Sequence, residues 1–335
     1  RISTCLFFSA LVSMFYHWGI IQKVVGAFAW VLRKFMNISG SEGLVAAGNI
    51  FMGMTESPVL IKNYLPTMNR SEIFLVMVSG MGTIAGSVMG TYIGMLGGTD
   101  PAAKVLFATH LLSASVMAVP GSIVLAKMLC PQTEEATDHV AISGKEKENS
   151  NILDAISSGT VTGVKLMTNI AAMLLVFISL VALANYITEG VIGRYTGLND
   201  WIVKITDGKA QGLTFQFILG VITSPFMWLI GVPSQDIMLV GSLLGQKTIL
   251  NEFVAYFQLQ QWKDAGLFMY EKSILMSTYI LCGFANISSI GILLGGLGVL
   301  APEKRGLISR IGLPAMIGGA LVSVLSATII GMILG

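Results

Sequence analysis

Charged residues are scarce in this sequence. Lys, Arg, Asp and Glu make up 11% of its 335 residues, whereas a soluble globular protein carries about 25%. The apolar fraction is 54% and the mean hydropathy is +0.76. A net charge of only +2 gives no reason to expect a nucleic-acid partner. These values predict an all-α polytopic membrane protein in contact with membrane lipid.

Cysteine and histidine are equally rare. The three cysteines and three histidines are too far apart in sequence for a disulfide framework or a zinc motif: Cys5, Cys130, Cys282, His17, His110 and His139. No signal peptide is recognisable at the start. The sequence opens at Arg1 without an initiator Met, so we expect it to be part of a longer protein.

The sequence also has few of the groups that enzymes use. No Ser or Cys has a recognisable His partner, and no His-Glu-x-x-His pattern occurs. An intramembrane aspartyl protease needs two acids close enough to share a proton, and the paired Gly-Asp motifs typical of that chemistry are absent. We therefore do not expect an enzyme.

Apolar runs cover most of the chain, and several approach the roughly 20 residues that cross a bilayer. They occur at 4–21, 72–97, 102–129, 166–187, 273–299 and 307–334. Residues 23–38 mix apolar and basic side chains, which is typical of a helix lying along the membrane surface. Residues 131–150 are hydrophilic and predict a solvated loop, and residues 151–164 predict an interfacial lead-in to the next span.

Two apolar segments are interrupted by residues that resist a continuous helix. Residues 42–66 contain Glu56 and Pro58, and residues 212–246 contain Pro225 among other breaks. An ionisable group in lipid costs roughly 2.5–3.5 kcal/mol, and irregular backbone at membrane depth is tolerated where it is buried in protein or lines a watery cavity. Both segments therefore predict re-entrant hairpins.

The interruptions recur in the two halves of the chain. Residues 80–87 align with residues 283–290 at an offset of 203, and residues 55–57 align with residues 251–253 at an offset of 196. Paired interrupted segments of this kind indicate a transporter binding site. Because one span joins the units, we expect inverted repeats, each with a re-entrant hairpin and a broken transmembrane helix.

The polar residues at these breaks suit ligand binding. Carboxylates at Glu56 and Glu252 offer several acceptor sites, and Asn286 both donates and accepts, which suits a polyhydroxylated ligand. Phe284 can lie against an aromatic or sugar face. A hard cation such as sodium can be held by side-chain oxygens and by carbonyls of unwound backbone, here those of Asn49, Thr83, Met52 and Ile84.

Three motifs resemble the concentrative nucleoside transporter family. They are Gly-Met-Thr-Glu-Ser-Pro at 53–58, Leu-Asn-Glu-Phe-Val-Ala-Tyr at 250–256 and Cys-Gly-Phe-Ala-Asn-Ile-Ser-Ser-Ile-Gly at 282–291. The resemblance runs from about residue 5 to about residue 325. It implies a homotrimeric cation–nucleoside symporter of the plasma membrane, or of the inner membrane in a bacterium. In this family a transport domain that holds both hairpins moves like an elevator past a scaffold.

The resemblance also implies the site residues. The nucleoside-binding set is Gly53, Met54, Thr55, Glu56, Val88, Glu252, Phe284, Asn286 and Ser289, with residues 54–56 at the base and Glu252, Asn286 and Ser289 at the ribose. The sodium set is Asn49, Met52, Thr83 and Ile84. Proton coupling through the buried glutamates stays open as an alternative, and so does a passive nucleoside channel.

The resemblance divides the chain into four parts. Residues 1–22 are a scaffold helix and residues 23–130 the first transport repeat. Residues 131–210 hold the loop, an interfacial helix and a scaffold helix, and residues 211–335 are the second repeat. Family members have further membrane segments before residue 1, so we expect an incomplete scaffold.

One residue departs from the family pattern, since members usually carry Gln where this chain has Met54. Gln donates and accepts hydrogen bonds at a base edge, whereas a thioether is only a weak acceptor with adaptable apolar surface. This difference predicts a looser or altered base preference.

Overall fold

The computed structural model describes residues 2–36, 38–134, 151–206 and 210–335. These residues form helices joined by turns, and no strand occurs among them. The elements of the first half are α1 (Ile2–His17), α2 (Ile20–Met36), α3 (Gly40–Gly48), a 3₁₀ turn (Ser57–Ile61), α4 (Arg70–Gly82), α5 (Gly86–Gly97) and α6 (Pro101–Leu129).

The second half begins with a long helix that continues into a π-helical stretch. Its elements are α7 (Ile152–Asn185), the π-helix (Tyr186–Gly193), α8 (Arg194–Thr196), α9 (Leu198–Ile205), α10 (Phe215–Leu229), α11 (Ile237–Ile249), α12 (Glu252–Asp264), α13 (Glu271–Leu281), α14 (Ile287–Leu300), a 3₁₀ turn (Pro302–Lys304) and α15 (Arg305–Ile333). The all-helical fold predicted from the composition is confirmed.

Three stretches of the described residues are long and apolar enough to cross a membrane. They are Arg70–Gly97, Pro101–Leu129 and Pro302–Ile333, and they match the predicted runs at 72–97, 102–129 and 307–334. Residues 151–164 were predicted to lie along the membrane surface before the next span. They instead begin α7, a single helix that continues into that span. Most of the predicted loop, residues 135–150, lies outside the described residues.

Side-chain caps decide where several helices begin. Ser39 and Glu42 form a capping box at α3, and Asn69 and Glu72 form another at α4. Each box satisfies backbone N–H groups that a helix start leaves without partners. Glu42 also pairs with Lys127 near the end of α6. This pair, in which Glu42 is buried and Lys127 is half-buried, fixes the start of the first hairpin to α6.

Both broken helices are observed, and they cross at their breaks. The first is interrupted at residues 83–85 between α4 and α5, and the second at residues 282–286 between α13 and α14. The Phe284 N–H donates to the Thr83 carbonyl at 3.2 Å. A Cβ on Gly283, whose φ is +154°, would lie 2.9 Å from the Met81 carbonyl oxygen. Only glycine therefore allows the two backbones to approach this closely.

The break predicted at residues 231–236 is observed between α10 and α11, which pack against each other, whereas the break predicted at Pro225 is not observed. Pro225 lies inside α10 rather than ending it, and the Ser224 hydroxyl beside it donates to the Gly220 carbonyl at 2.6 Å. The chain leaves helical geometry at Leu250 and Asn251, between α11 and α12. In the first half, the hairpin directly precedes the broken helix formed by α4 and α5. In the second half, α11 and α12 directly precede the broken helix formed by α13 and α14, so they are the second hairpin, with Glu252 at its tip.

Two hydrophobic clusters fill the interior. One is built around α3, α4, α6 and α15, and the other around α5, α11, α12 and α13. Phe284 packs against both. The crossing of the broken helices is therefore also the point where the two clusters meet.

Candidate substrate and cation site

Glu252 is the centre of a buried hydrogen-bonded group. It is the first residue of α12, and its neighbour Asn251 caps the helix by accepting from the Val254 N–H at 2.9 Å. The side chain of Glu252 is 7% exposed. One carboxylate oxygen accepts from the Tyr92 hydroxyl at 3.1 Å, and the other accepts from the Asn286 Nδ2 at 3.0 Å.

Asn286 connects this carboxylate to the start of α14. Its Oδ1 accepts from the Ser289 N–H at 3.0 Å, from the Ser289 hydroxyl at 3.1 Å and from the Ser288 hydroxyl at 2.6 Å. The amide oxygen is thus fully used within the protein, while Nδ2 keeps one hydrogen free. The structure brings three predicted ribose-side residues together in one network.

The predicted sodium residues gather where the first hairpin meets the break after α4. Asn49 is fully buried, with Nδ2 donating to the Ser79 hydroxyl at 3.0 Å and Oδ1 accepting from the Ser57 hydroxyl at 2.6 Å. The Thr83 hydroxyl donates to the Ser79 carbonyl at 2.9 Å. Both side-chain oxygens keep lone pairs free.

The two backbone contributors to this set also lie outside helices. Met52 is in the tip of the first hairpin, and Ile84 is within the break between α4 and α5. The Gly86 N–H donates to the Phe51 carbonyl at 3.1 Å, which fixes the tip against the break. Neutral amide, hydroxyl and carbonyl oxygens at unwound backbone are a donor set that fits sodium.

The tip of the first hairpin places its four predicted residues differently. Thr55 and Glu56 are exposed, Gly53 is half-buried, and Met54 is 7% exposed. The Cβ of Met54 is 2.9 Å from where a Cβ on Gly80 of α4 would lie. Met54 therefore packs into the interior, while the two residues that follow it face outward.

Glu56 does not share a hydrogen bond with the Glu252 group among the described contacts. Its carboxylate accepts from the Gly53 N–H at 3.3 Å. The two parts of the predicted site are instead connected along α5. Gly53 lies against Ala85, buried Val88 follows one turn later, and Tyr92 one turn further reaches Glu252. Residues three or four apart share one helix face.

Two family models match this chain. One is described as Na+ dependent nucleoside transporter C-terminus and matches residues 110–331. The other is described as nucleoside recognition and matches residues 2–99. An uncharacterised transporter of Haemophilus influenzae is 39% identical over 98% of this chain and 75% of its own length. The chain belongs to the concentrative nucleoside transporter family.

Two relatives of this transporter are named sodium/nucleoside cotransporters. Sodium/nucleoside cotransporter 1 of Rattus norvegicus is 39% identical over 98% of this chain, and the chain spans 49% of its length. Sodium/nucleoside cotransporter 2 of the same species is 36% identical over the same share of this chain. The family and these relatives are transporters, so the chain is a membrane transporter and not an enzyme.

Solved structures of the family protein CNTnw share the fold in more than one state. An inward-facing, substrate-bound structure matches with a TM-score of 0.84 and 34% identity, covering 100% of this chain and 75% of CNTnw. An outward-facing variant matches with a TM-score of 0.86 and 34% identity, covering 99% and 74%. An elevator-type mechanism agrees with this similarity to both states.

Three residues at or beside the site were given no role by the sequence. Tyr92 holds the Glu252 carboxylate, Ser79 holds Asn49, and Lys247 lies buried beside the break after α13. Helical spacing offered a signal for two of them, since Tyr92 lies four residues after Val88 and Ser79 four residues before Thr83. Lys247 ends the family-like stretch Gly-Ser-Leu-Leu-Gly-Gln-Lys at 241–247, from which no role for it was predicted.

Proposed function

We propose that this chain is a sodium-coupled symporter that imports nucleosides by alternating access. The observation that carries the proposal is the buried network of Glu252, Asn286 and Ser289, which lies next to the crossing of the two broken helices. A carboxylate there offers acceptors to a ligand that brings hydroxyl donors. A neutral oxygen set lies on the other side of the crossing, at the first hairpin tip.

The ribose is recognised by the hydrogen-bond donors and acceptors that the network of Glu252, Asn286 and Ser289 does not use within the protein. Each Glu252 oxygen accepts one bond within the protein and keeps a lone pair for a ligand hydroxyl. The second Nδ2 hydrogen of Asn286 donates to a ribose oxygen, and the Ser289 hydroxyl has lone pairs left to accept from the ligand. Hydrogen bonds to a charged carboxylate are stronger than neutral ones, so we assign Glu252 the largest share of affinity.

The base is recognised by the first hairpin tip and α5. We assign Gly53, Met54, Thr55 and Glu56 to the base edge and Val88 to an apolar contact with its face. Phe284, which packs against both hydrophobic clusters, lines the site between base and ribose. The exposure of Thr55 and Glu56 supports this assignment.

Sodium supplies the coupling. We assign the ion to Asn49 and Thr83 and to the carbonyls of Met52 and Ile84, and the names of the relatives support sodium as the coupling ion. One sodium charge moving through about 100 mV releases roughly 2.3 kcal/mol. That energy concentrates a neutral nucleoside about 50-fold.

The moving part holds both hairpins. We assign residues 23–130 and 211–335 to the transport domain, with residues 1–22 and the helix within 131–210 in the scaffold. The packing of α1 against α7 supports this scaffold. We further propose a homotrimer in the plasma membrane, or in the inner membrane if the source is bacterial.

The deciding experiment is uptake of radiolabelled uridine into proteoliposomes with and without an inward sodium gradient. A symporter gives saturable, uphill uptake that collapses when sodium is replaced by choline. Uptake that survives this replacement but is lost when a pH gradient is dissipated identifies proton coupling instead. Uptake that is neither saturable nor uphill identifies a passive channel.

A further inference from the structure

Lys247 is a buried cation that the proposed mechanism does not use. It lies in the last turn of α11 and is 0% exposed. Its Nζ donates to the Ile280 carbonyl at 2.7 Å and to the Ser323 hydroxyl at 2.9 Å. Both partners are neutral oxygens. A buried charge is costly unless its surroundings compensate it, so the compensation has to come from these oxygens and what lies behind them.

The Ile280 carbonyl belongs to the C-terminal end of α13. The last four carbonyls of a helix lack intrahelical partners, and this end carries a partial negative charge. In a continuous helix the Phe284 N–H would donate to the Ile280 carbonyl. The chain breaks after Leu281, and the Phe284 N–H donates to the Thr83 carbonyl instead. The Lys247 ammonium therefore takes the place of the missing backbone donors.

Ser323 of α15 extends the contact into the break itself. Its hydroxyl accepts from Lys247 and donates to the Cys282 carbonyl at 3.1 Å. Cys282 begins the break that carries Phe284 and Asn286. Two steps of hydrogen bonding thus connect the ammonium to the segment that holds the ribose-side residues.

The first half of the chain has a corresponding place. Here α4 ends at Gly82, and the Thr83 hydroxyl and the Ile84 carbonyl belong to the candidate sodium site together with Asn49 and Met52 of the first hairpin. In the second half α13 ends at Leu281, and Lys247 reaches its end from the first helix of the second hairpin. Two negative helix ends meet at the crossing, and each has a cation or a cation site of its own.

We propose that the Lys247 ammonium is a tethered cation at the end of α13, taking in the second repeat the place that sodium takes in the first. It acts as a positioning residue, because it fixes the break that presents Phe284 and Asn286 without contacting the nucleoside. The analogy to sodium rests on the proposed function. The role at the end of α13 does not depend on it.

The test replaces the tethered cation with a free one. In Lys247→Ala, methylammonium should occupy the vacated place and raise the thermal unfolding midpoint, because a ligand that binds only the folded state stabilises it. Tetramethylammonium is too large and has no N–H, so it should not. The matched control is Lys304→Ala, because Lys304 also donates to a backbone carbonyl, that of Met68 at 2.9 Å, at the opposite end of α4 from the break.

Uridine binding to the same purified proteins tests the positioning role. Lys247→Ala should lose binding in saturating sodium and regain it partly with methylammonium, while Lys304→Ala binds like wild type. The proposal is overturned if methylammonium stabilises Lys247→Ala no more than wild type or Lys304→Ala, or if Lys247→Ala binds uridine within twofold of wild type.

A second variant covers the case in which Lys247→Ala does not fold. Ser323→Ala keeps the charge and removes the link to Cys282, so its Kd for uridine should rise about 3- to 10-fold, the value of one hydrogen bond. An unchanged Kd would sink the positioning role. A wild-type protein that binds no uridine contradicts the proposed function instead, and the thermal measurement then decides the role of Lys247.

Discussion

At the scale of single residues, Glu252 owes its position to neutral donors. The Tyr92 hydroxyl and the Asn286 amide orient both carboxylate oxygens without neutralising them. The stacking of Tyr92 on Tyr256, with ring centroids 4.2 Å apart, holds the hydroxyl in place. The carboxylate therefore stays available to a ligand while its geometry is fixed in advance.

Glu252→Gln should abolish most uridine binding while the protein still folds. The Gln amide places an N–H group against at least one of the two donors, Tyr92 and Asn286. It also lacks the charged oxygen that accepts from the ribose. Bonds to charged groups are worth about 1.5–3 kcal/mol each, so losing two should raise the KM for uridine uptake roughly 100-fold or more. Glu271→Gln, at the exposed start of α13, is the matched control and should transport normally.

Met54→Gln tests the base side of the site. Met54 packs against Gly80 instead of facing outward, so a Gln in its place must either bury an amide or turn toward the ligand. We expect a changed order of competition among uridine, cytidine, thymidine, adenosine and inosine in uptake assays. The same order in both proteins would exclude a role for this residue in base preference.

Thr83→Val tests the cation site without changing side-chain shape. Losing one oxygen ligand should raise the sodium concentration for half-maximal uptake at least about tenfold, equivalent to about 1.4 kcal/mol, with a smaller effect on the uridine KM in saturating sodium. Thr91→Val is the control, because the buried Thr91 hydroxyl has no hydrogen-bond partner among the residues that the structure describes. Equal sodium dependence in the two variants would remove Thr83 from the site.

At the scale of elements, the crossing of the broken helices depends on one glycine. Gly283→Ala places a Cβ against the Met81 carbonyl at a φ of +154°, a strain of order 1–3 kcal/mol. We expect a lower thermal midpoint and impaired uptake. Gly295→Ala in α14, where a Cβ meets nothing within 4 Å, should keep or slightly raise the midpoint. A Gly283→Ala protein as stable as wild type would contradict the close approach.

The elements were predictable where the sequence pattern is local. The breaks at Thr83 and Asn286 follow from clustered small and polar residues, and both were placed correctly. The break at residues 231–236 was also placed correctly, between α10 and α11. The break at Pro225 was not, because a proline looks like a break from sequence although α10 continues through it. Contacts between distant elements, such as Tyr92 to Glu252 or Lys247 to Ile280, have no sequence signature of their own.

At the scale of the whole molecule, the proposed coupling to sodium predicts that the membrane potential sets how far the transporter concentrates its substrate. With one sodium per nucleoside, adding a potential of about 100 mV to a fixed sodium gradient should raise the steady-state accumulation of uridine by about 50-fold. A potassium diffusion potential in proteoliposomes, with and without valinomycin, measures this ratio. Accumulation that does not respond to the potential would contradict coupling to a moving charge.

The bond between the Phe284 N–H and the Thr83 carbonyl joins the two halves of the site. In the proposed mechanism, order that sodium imposes on the break at Thr83 is passed on to the break that carries Asn286. Sodium and nucleoside then have a coupling free energy, which is the same in both directions. The factor by which sodium tightens nucleoside binding must equal the factor by which nucleoside tightens sodium binding. A carrier with this linkage binds each solute more tightly when the other is already bound, which favours the doubly loaded state.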